Sequence, residues 1–132
     1  MLFRSDPWAA QRVMSETGLP YYSGDDNLNL PLLAVGACGF ISVTGHIVAD
    51  RLKAMATAYR AGDVAKALEI NRGLIPVTHG VMGRGPGAIA SKAALDLLGR
   101  AGGGVMRLPM VAMGDAGRAT LKADLIAGGF AL

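Results

Sequence analysis

The chain has 132 residues, of which 52% are hydrophobic, 17% charged and 5% aromatic, a balance typical of a buried α/β interior and not of a disordered segment. Its formal net charge is +3, but the basic residues are scattered singly between Arg4 and Lys122. No basic stripe with interleaved aromatic residues is present, so we expect no nucleic-acid partner.

The first part of the chain alternates predicted helices and short strands. The segment from Asp6 to Gly18 begins with a capping residue followed by proline and ends in glycine, which predicts a helix. Leu19 to Ser23 is apolar and aromatic and predicts a buried strand, and Gly39 to Thr44 predicts a second one. Between them, Leu28 to Val35 predicts a short helix.

The rest of the chain predicts helices only. Apolar residues at helical spacing predict helices from Ile47 to Tyr59, from Val64 towards Gly80 and from Ala88 to Leu98. Asp115 is predicted to cap a last helix, which runs to Ile126. Arg107 to Met110 is predicted to be extended, because the residue before a proline is disfavoured in the helical region.

This order leaves the sheet incomplete. Two parallel strands joined by helices would expose two unpaired edges and leave the apolar faces of the helices half covered. We therefore expect further strands from preceding sequence. A (β/α)8 barrel of about 250 residues is the commonest such sheet that ends in extra helices.

Two strings carry a resemblance to a known family. Tyr21 to Asp26 reads YYSGDD and Gly39 to Thr44 reads GFISVT. The strings and their spacing resemble the seventh and eighth barrel strands of the dihydrodipicolinate synthase family. Ala67 to Asn71 and Arg107 to Met110 are similar to the family's C-terminal helical region, and the resemblance covers Gln11 to about Ile126.

The resemblance implies a fold and a reaction. The fold is the C-terminal part of a (β/α)8 TIM barrel, with its last two strands and helices in residues 1–62, followed by a C-terminal helical subdomain in residues 63–132. The family is one of pyruvate-dependent class I aldolases, in which a lysine forms a Schiff base with pyruvate and the product condenses with aspartate semialdehyde, on the route to lysine. Its members are homo-oligomers, usually tetramers. We expect no cofactor.

The resemblance places the family's catalytic lysine on the sixth barrel strand, ahead of residue 1. We therefore expect no catalytic residue in this chain and no activity from this chain alone. Its four lysines, Lys53, Lys66, Lys92 and Lys122, all fall in predicted helices and not at the end of a strand.

Two positions are candidate substrate contacts. The resemblance implies that the backbone carbonyl of Ile41 faces the pyruvate adduct and that Gly24, at the end of the preceding strand, lines the same mouth. The sequence pattern alone predicts instead that Ile41 is an ordinary core residue of a buried strand.

Other polar residues have simpler interpretations. Asp25 and Asp26 could form an acid pair with separated pKa values, but helix capping and solvation explain them better. His46 and His79 lie far apart in sequence without a cluster of acidic residues or cysteines, which argues against a metal site. Gly83 to Gly87 lacks the ending of a phosphate-binding loop and predicts a flexible connection.

Three features predict a cytoplasmic protein without a membrane segment. The apolar run from Leu32 to Val43 is broken by glycines and is shorter than the about 20 residues of a spanning helix. Cys38 cannot form an internal disulfide, and its apolar surroundings predict a buried thiol. Met1 to Asp6 contains one arginine, and no long apolar core follows it, so we expect no signal peptide.

Two alternative functions remain open. One is another pyruvate-dependent aldolase of the same superfamily, which only the rest of the barrel would distinguish. The other is a non-catalytic helical interaction module, in which the two strands are incidental and the apolar surface serves association. A stable, soluble, monomeric product of 132 residues would favour the module.

Overall fold

The structure is a computed structural model that describes residues 6–132. It contains, in chain order, α1 Pro7–Thr17, β1 Tyr22–Ser23, a 3-10 turn Asp26–Leu28, α2 Asn29–Ala34, β2 Gly39–Phe40, α3 Gly45–Arg60, α4 Val64–Met82, α5 Gly87–Leu97 and α6 Asp115–Ala127. The predicted order of helix, strand, helix, strand and then helices is confirmed. The prediction about a signal peptide rests mainly on Met1 to Ser5, which lie outside the described residues.

The two strands pair in parallel. Tyr22 is opposite Gly39 and Ser23 is opposite Phe40. The amide of Cys38 donates to the carbonyl of Tyr21 (2.8 Å) and extends the pairing at its start. In residues 6–132 the sheet has these two strands and no third.

Both strands are shorter than predicted, and the first is less buried. The side chain of Leu19 is 65% exposed, so the prediction of a buried strand from Leu19 is wrong for its first residues. Pro20 follows Leu19 and has no amide hydrogen to donate to a neighbouring strand. Regular pairing therefore begins only at Tyr22.

Helix boundaries follow from local capping bonds. Oδ1 of Asp6 accepts from the Trp8 amide (3.0 Å) at the start of α1, and Gly18 closes this helix with φ 65°. Oδ1 of Asp63 accepts from the Lys66 amide (2.9 Å) at the start of α4. These predicted boundaries are confirmed.

Two local predictions near the C-terminus are wrong. The cap of α6 is Gly114, and Asp115 is the first residue inside the helix, where an acidic side chain stabilises the helix dipole without a capping bond. Arg107 to Met110 forms a turn, closed by a bond from the Met110 amide to the Arg107 carbonyl (3.1 Å), and is not extended. A residue before proline is disfavoured only in the helical region, and a turn that contains proline avoids that region just as an extended segment does.

The chain divides into two compact units. The first contains the described residues up to Ser42 together with Asp50–Asn71, and the second contains Val43–Ala49 and Arg72–Leu132. Helices α3 and α4 each contribute to both units, and the division within α3 lies close to a kink at Val48 (φ −127°, ψ 31°). The boundary at residue 62 between barrel and helical subdomain stays a prediction.

The first unit has a small apolar core around α1, α2 and the sheet. Ala10, Leu32 and Ala37 are buried there, and Tyr21, Leu28 and Val35 pack against them. Cys38 is exposed, so the prediction of a buried thiol is wrong. Successive side chains of an extended segment point to opposite faces. Ala37, the residue before Cys38, is buried, so the side chain of Cys38 points to the opposite, exposed face.

The second unit is built from α5, α6 and the C-terminal part of α4. Its fully buried side chains include Val77, Val81, Ala94, Leu121 and Leu125. An ion pair between Arg118 and Asp96 (2.6 Å) joins α6 to α5 at the surface. Within residues 6–132, no helix is long and apolar enough to cross a membrane.

Helix α4 approaches α6 closely at Gly80. A Cβ atom at this position would lie 2.8 Å from Cβ of Asp124 and 3.1 Å from Cδ1 of Leu121. Gly73, earlier in the same helix, has no such neighbour within 4 Å. The absence of a side chain at Gly80 is therefore required for packing.

We expect Gly80→Ala to lower the free energy of unfolding by about 1–3 kcal/mol, because overpacking forces α4 and α6 apart. The measurement is urea unfolding followed by circular dichroism. Gly73→Ala is the matched control and should be neutral or stabilising by up to about 1 kcal/mol, because alanine has the higher helix propensity. Equal effects of the two substitutions would contradict the close approach.

Candidate functional site

The candidate site lies where the two strands end. We call Ser23 to Asp26 together with Ile41 and Ser42 the strand-end site. Since β1 and β2 are parallel, their carboxyl ends meet on the same side of the sheet, which is where active sites of (β/α)8 barrels lie. Gly24 and Ile41 each follow one residue of the last pair, Ser23 and Phe40. The structure thus brings both predicted contact residues together.

The backbone of Ile41 is held by a hydrogen bond, and its side chain is exposed. Its amide donates to the carbonyl of Ser23 (2.7 Å). Its side chain is 63% exposed, so within this chain the interpretation of Ile41 as an ordinary buried core residue is wrong. Gly24 is half-buried.

The two neighbouring aspartates have different roles. Oδ1 of Asp25 accepts from the amide (3.1 Å) and the side-chain Nδ2 (2.9 Å) of Asn27, which caps the 3-10 turn. Asp26 is only 8% exposed, so the prediction of a capping, solvated residue is right for Asp25 and wrong for Asp26.

Asp26 joins the two strand ends. Its Oδ1 accepts from Nδ2 of Asn29 (2.8 Å) and from the hydroxyl of Ser42 (2.5 Å). Asn29 is 1% exposed, and Ser42 lies directly after Ile41. The sequence analysis missed Asn29 and Ser42. The SGDDNLN string offered one signal, because it places several polar residues directly after an apolar strand.

Ser23 completes the turn that leads out of β1. It is fully buried, and its hydroxyl donates to the carbonyl of Asp25 (2.9 Å) while accepting from the Asp25 amide (3.3 Å). These bonds satisfy the turn locally. The direction of the chain at Gly24 is thereby set by Ser23.

None of the four lysines directly follows a strand in the sequence. Lys53, Lys66, Lys92 and Lys122 lie in α3, α4, α5 and α6, as predicted. Nζ of Lys66 pairs with Glu69 (2.9 Å), and Nζ of Lys92 donates to the carbonyl of Val105 (2.5 Å). None of them follows β1 or β2 directly.

The remaining candidates do not assemble into a site. Nδ1 of His79 lies 3.8 Å from Oδ1 of Asp124 in the second unit, and the side chain of His79 is largely exposed; His46 is exposed in α3. Among residues 6–132, no group of three histidine, cysteine or acidic side chains could hold a metal ion. The connection between α4 and α5 is formed by residues 83–86, and Gly87 is the first residue of α5; the predicted flexibility of this segment stays a prediction.

Comparison with known proteins now shows the family. A family model described as the dihydrodipicolinate synthetase family matches residues 9–127. The chain belongs to this family. A curated relative, 4-hydroxy-tetrahydrodipicolinate synthase 2 of Streptomyces coelicolor, is 50% identical over 129 residues, which is 98% of this chain and 42% of the relative.

Solved structures of the family superpose closely. DHDPS from Cyanidioschyzon merolae with lysine bound has a TM-score of 0.86 and 29% identity, over 95% of this chain and 42% of that one. The chloride-inhibited dihydrodipicolinate synthase from Acinetobacter baumannii, complexed with pyruvate, has a TM-score of 0.83 and 25% identity, over 94% and 43%. The predicted fold, the C-terminal part of a (β/α)8 barrel with its helical subdomain, is confirmed.

The chain spans about 42% of the length of the curated relatives that it matches. In the family fold, β1 and β2 are the last two barrel strands, and the strand-end site is one part of the barrel's C-terminal mouth.

We expect Asp26→Ala to destabilise the first unit by about 1–3 kcal/mol, because it removes the acceptor that the buried Nδ2 of Asn29 uses. Urea unfolding measures this loss. Asp25→Ala is the control, and losing its cap should lower the stability by only about 1 kcal/mol. A larger loss from Asp25→Ala than from Asp26→Ala would contradict the network.

Proposed function

We propose that this chain is part of a lyase that condenses pyruvate with aspartate semialdehyde through a lysine Schiff base, and that the reactive lysine lies outside the chain. The strand-end site carries the proposal. It presents the exposed Ile41 beside Gly24 where the two strands end, while all four lysines of the chain lie in helices. A chain with two of the eight strand ends of such a mouth, and no lysine at either, needs a further segment to supply the reactive amine.

The relatives support the choice of reaction. Curated proteins that are 42–50% identical to this chain are named 4-hydroxy-tetrahydrodipicolinate synthase. A solved relative of 25% identity is a complex with pyruvate. Identity of this degree over nearly the whole chain favours this reaction over that of another pyruvate-dependent aldolase.

Within this proposal, Ile41 and Gly24 are substrate contacts. The carbonyl of Ile41 would present the negative end of its dipole to the pyruvate adduct, where a protonated Schiff base carries positive charge. Gly24 would let the adduct approach the backbone, because it has no side chain. Nucleophilic catalysis would come from a lysine whose amine is activated by desolvation or a neighbouring charge.

The parallel pairing argues against the non-catalytic alternative. In a helical interaction module the strands would be incidental, whereas here they pair in register and Asp26 bridges their ends. The family match over residues 9–127 also favours the enzyme. We therefore prefer the enzyme.

We also propose a cytoplasmic homo-oligomer, usually a tetramer in this family. Val105, Leu108 and Val111 are 76%, 89% and 69% exposed and lie close together in the chain. Several exposed apolar side chains in one segment favour association when they form a patch. A single free cysteine is consistent with a reducing compartment.

We expect borohydride reduction in the presence of pyruvate to leave the purified chain unmodified by mass spectrometry, because no lysine lies at a strand end. The positive counterpart is a chimera in which the chain replaces the matching segment of the Streptomyces coelicolor relative. This chimera should form one pyruvate adduct per polypeptide, on a lysine of the relative's segment, and should condense pyruvate with aspartate semialdehyde.

The matched control is the Streptomyces coelicolor relative itself, treated identically. A stoichiometric adduct on Lys53, Lys66, Lys92 or Lys122 of the isolated chain would overturn the assignment of the lysine. A folded chimera that neither traps pyruvate nor condenses the two substrates would contradict the proposed reaction.

A further inference from the structure

We infer that Asp26 is a positioning residue, which acts through Ser42 to fix the direction of the Ile41 carbonyl at the strand-end site. The inference rests on the proposed function, in which the Ile41 carbonyl contacts the pyruvate adduct. It adds a requirement beyond the reaction itself, namely a buried hydrogen bond between the ends of β1 and β2.

The geometry restrains the peptide group of Ile41 from both sides. The carbonyl of Ile41 lies in one plane with the Cα atoms of Ile41 and Ser42, because the peptide bond is planar. On one side, the Ile41 amide is bonded to the carbonyl of Ser23 (2.7 Å). On the other side, the Ser42 hydroxyl is bonded to Asp26 (2.5 Å). The Ile41 amide belongs to the preceding peptide group, so the two bonds do not hold the carbonyl's plane directly. They hold Ile41 and Ser42, the residues at its two ends, and thereby fix the Cα–Cα axis of that plane.

The anchor itself is held rigidly. Asp26 is 8% exposed and Asn29 is 1% exposed, and Nδ2 of Asn29 donates to the same Oδ1 that receives the Ser42 hydroxyl. Asp26 is the first residue of the 3-10 turn and Asn29 is the first residue of α2, so their backbones are fixed by regular structure. A side chain with this little freedom can define the position of its partner.

Stability alone does not account for the choice of residues. Within the described residues, Oδ1 of Asn29 is buried without a hydrogen-bond partner. An unpaired buried acceptor lowers stability, whereas apolar residues of similar shape in place of such a polar group can be neutral or stabilising. A network that carries such a penalty is expected where it serves a site.

The consequence for catalysis concerns the turnover number more than binding. A carbonyl dipole stabilises developing charge only if it is already aimed at the place where the charge appears. Freeing the peptide plane of Ile41 would leave the pocket's shape largely intact while misdirecting this dipole. We therefore expect kcat to fall with little change in the KM for pyruvate.

The test uses the chimera with the full chain described above. Ser42→Ala should lower kcat at least about tenfold, within the about hundredfold range that a misplacement of about 1 Å can cost. Ser42→Thr keeps the hydroxyl and should restore most of the rate. Ser15→Ala is the matched control, because Ser15 also donates to an oxygen (the Gln11 carbonyl, 3.0 Å) but lies exposed in α1.

A double-substitution cycle tests whether Asp26 and Ser42 act through one bond. Asp26→Leu and Ser42→Ala should each reduce kcat, and the double variant should be no slower than the more damaging single variant, because coupled residues are not additive. If the two reductions multiply in the double variant, the inference is overturned. Leucine is similar in shape to aspartate but has no oxygen to accept from Ser42, whereas asparagine would keep such an acceptor.

Hydrogen exchange separates this inference from the proposed function. The Ile41 amide in the chimera should exchange at least about tenfold faster in Ser42→Ala than in Ser15→Ala, whether or not the chimera is active. If the parent chimera is folded but inactive, the proposed reaction fails, and unchanged exchange at Ile41 would then also reject the positioning role. If it is active, unchanged kcat in Ser42→Ala rejects the positioning role alone.

Discussion

The parallel pairing of two very short strands is the constraint on which the rest of the first unit depends. Its register places Ser23 opposite Phe40, so the segments that follow the two strands leave the sheet side by side, at Gly24 and Ile41. A shift by one residue would turn the buried Ser23 outward and the half-exposed Tyr22 inward, because side chains alternate along a strand. It would also move Ser42 relative to Asp26. One register thus fixes both the candidate contacts and their support.

The sequence predicted the connectivity well and the burial poorly. Glycine, proline and aspartate at helix ends marked α1 and α4 correctly, since these signals are local. Exposure is not local. Leu19 and Ile41 read as buried strand residues, yet they are 65% and 63% exposed in this chain. A strand in a parallel sheet is buried by neighbours on both sides, and the neighbours are not encoded in its own apolar pattern.

The polar network at the strand ends could not be predicted for a related reason. Capping preferences assign a role to an aspartate from the few residues that follow it, and this reasoning is right for Asp25, whose partner is Asn27. Asp26 instead bonds to Ser42, sixteen positions away. That partner is chosen by the adjacency of the strands. The family resemblance proposed Ile41 and Gly24 as contacts, whereas only the three-dimensional structure showed that Asp26 bonds to Asn29 and Ser42 beside them.

The distribution of functional groups suggests how the work of a barrel mouth is divided. This chain provides fixed backbone dipoles, a glycine and a buried hydrogen-bonded frame, all of which need exact placement and none of which needs an unusual ionisation state. A reactive amine has the opposite need, because desolvation or a nearby charge must lower its pKa. The lysines of this chain lie in α3 to α6 and not at a strand end. Precise geometry and a tuned amine can therefore reside on different strands, and the closed barrel is what brings the two together.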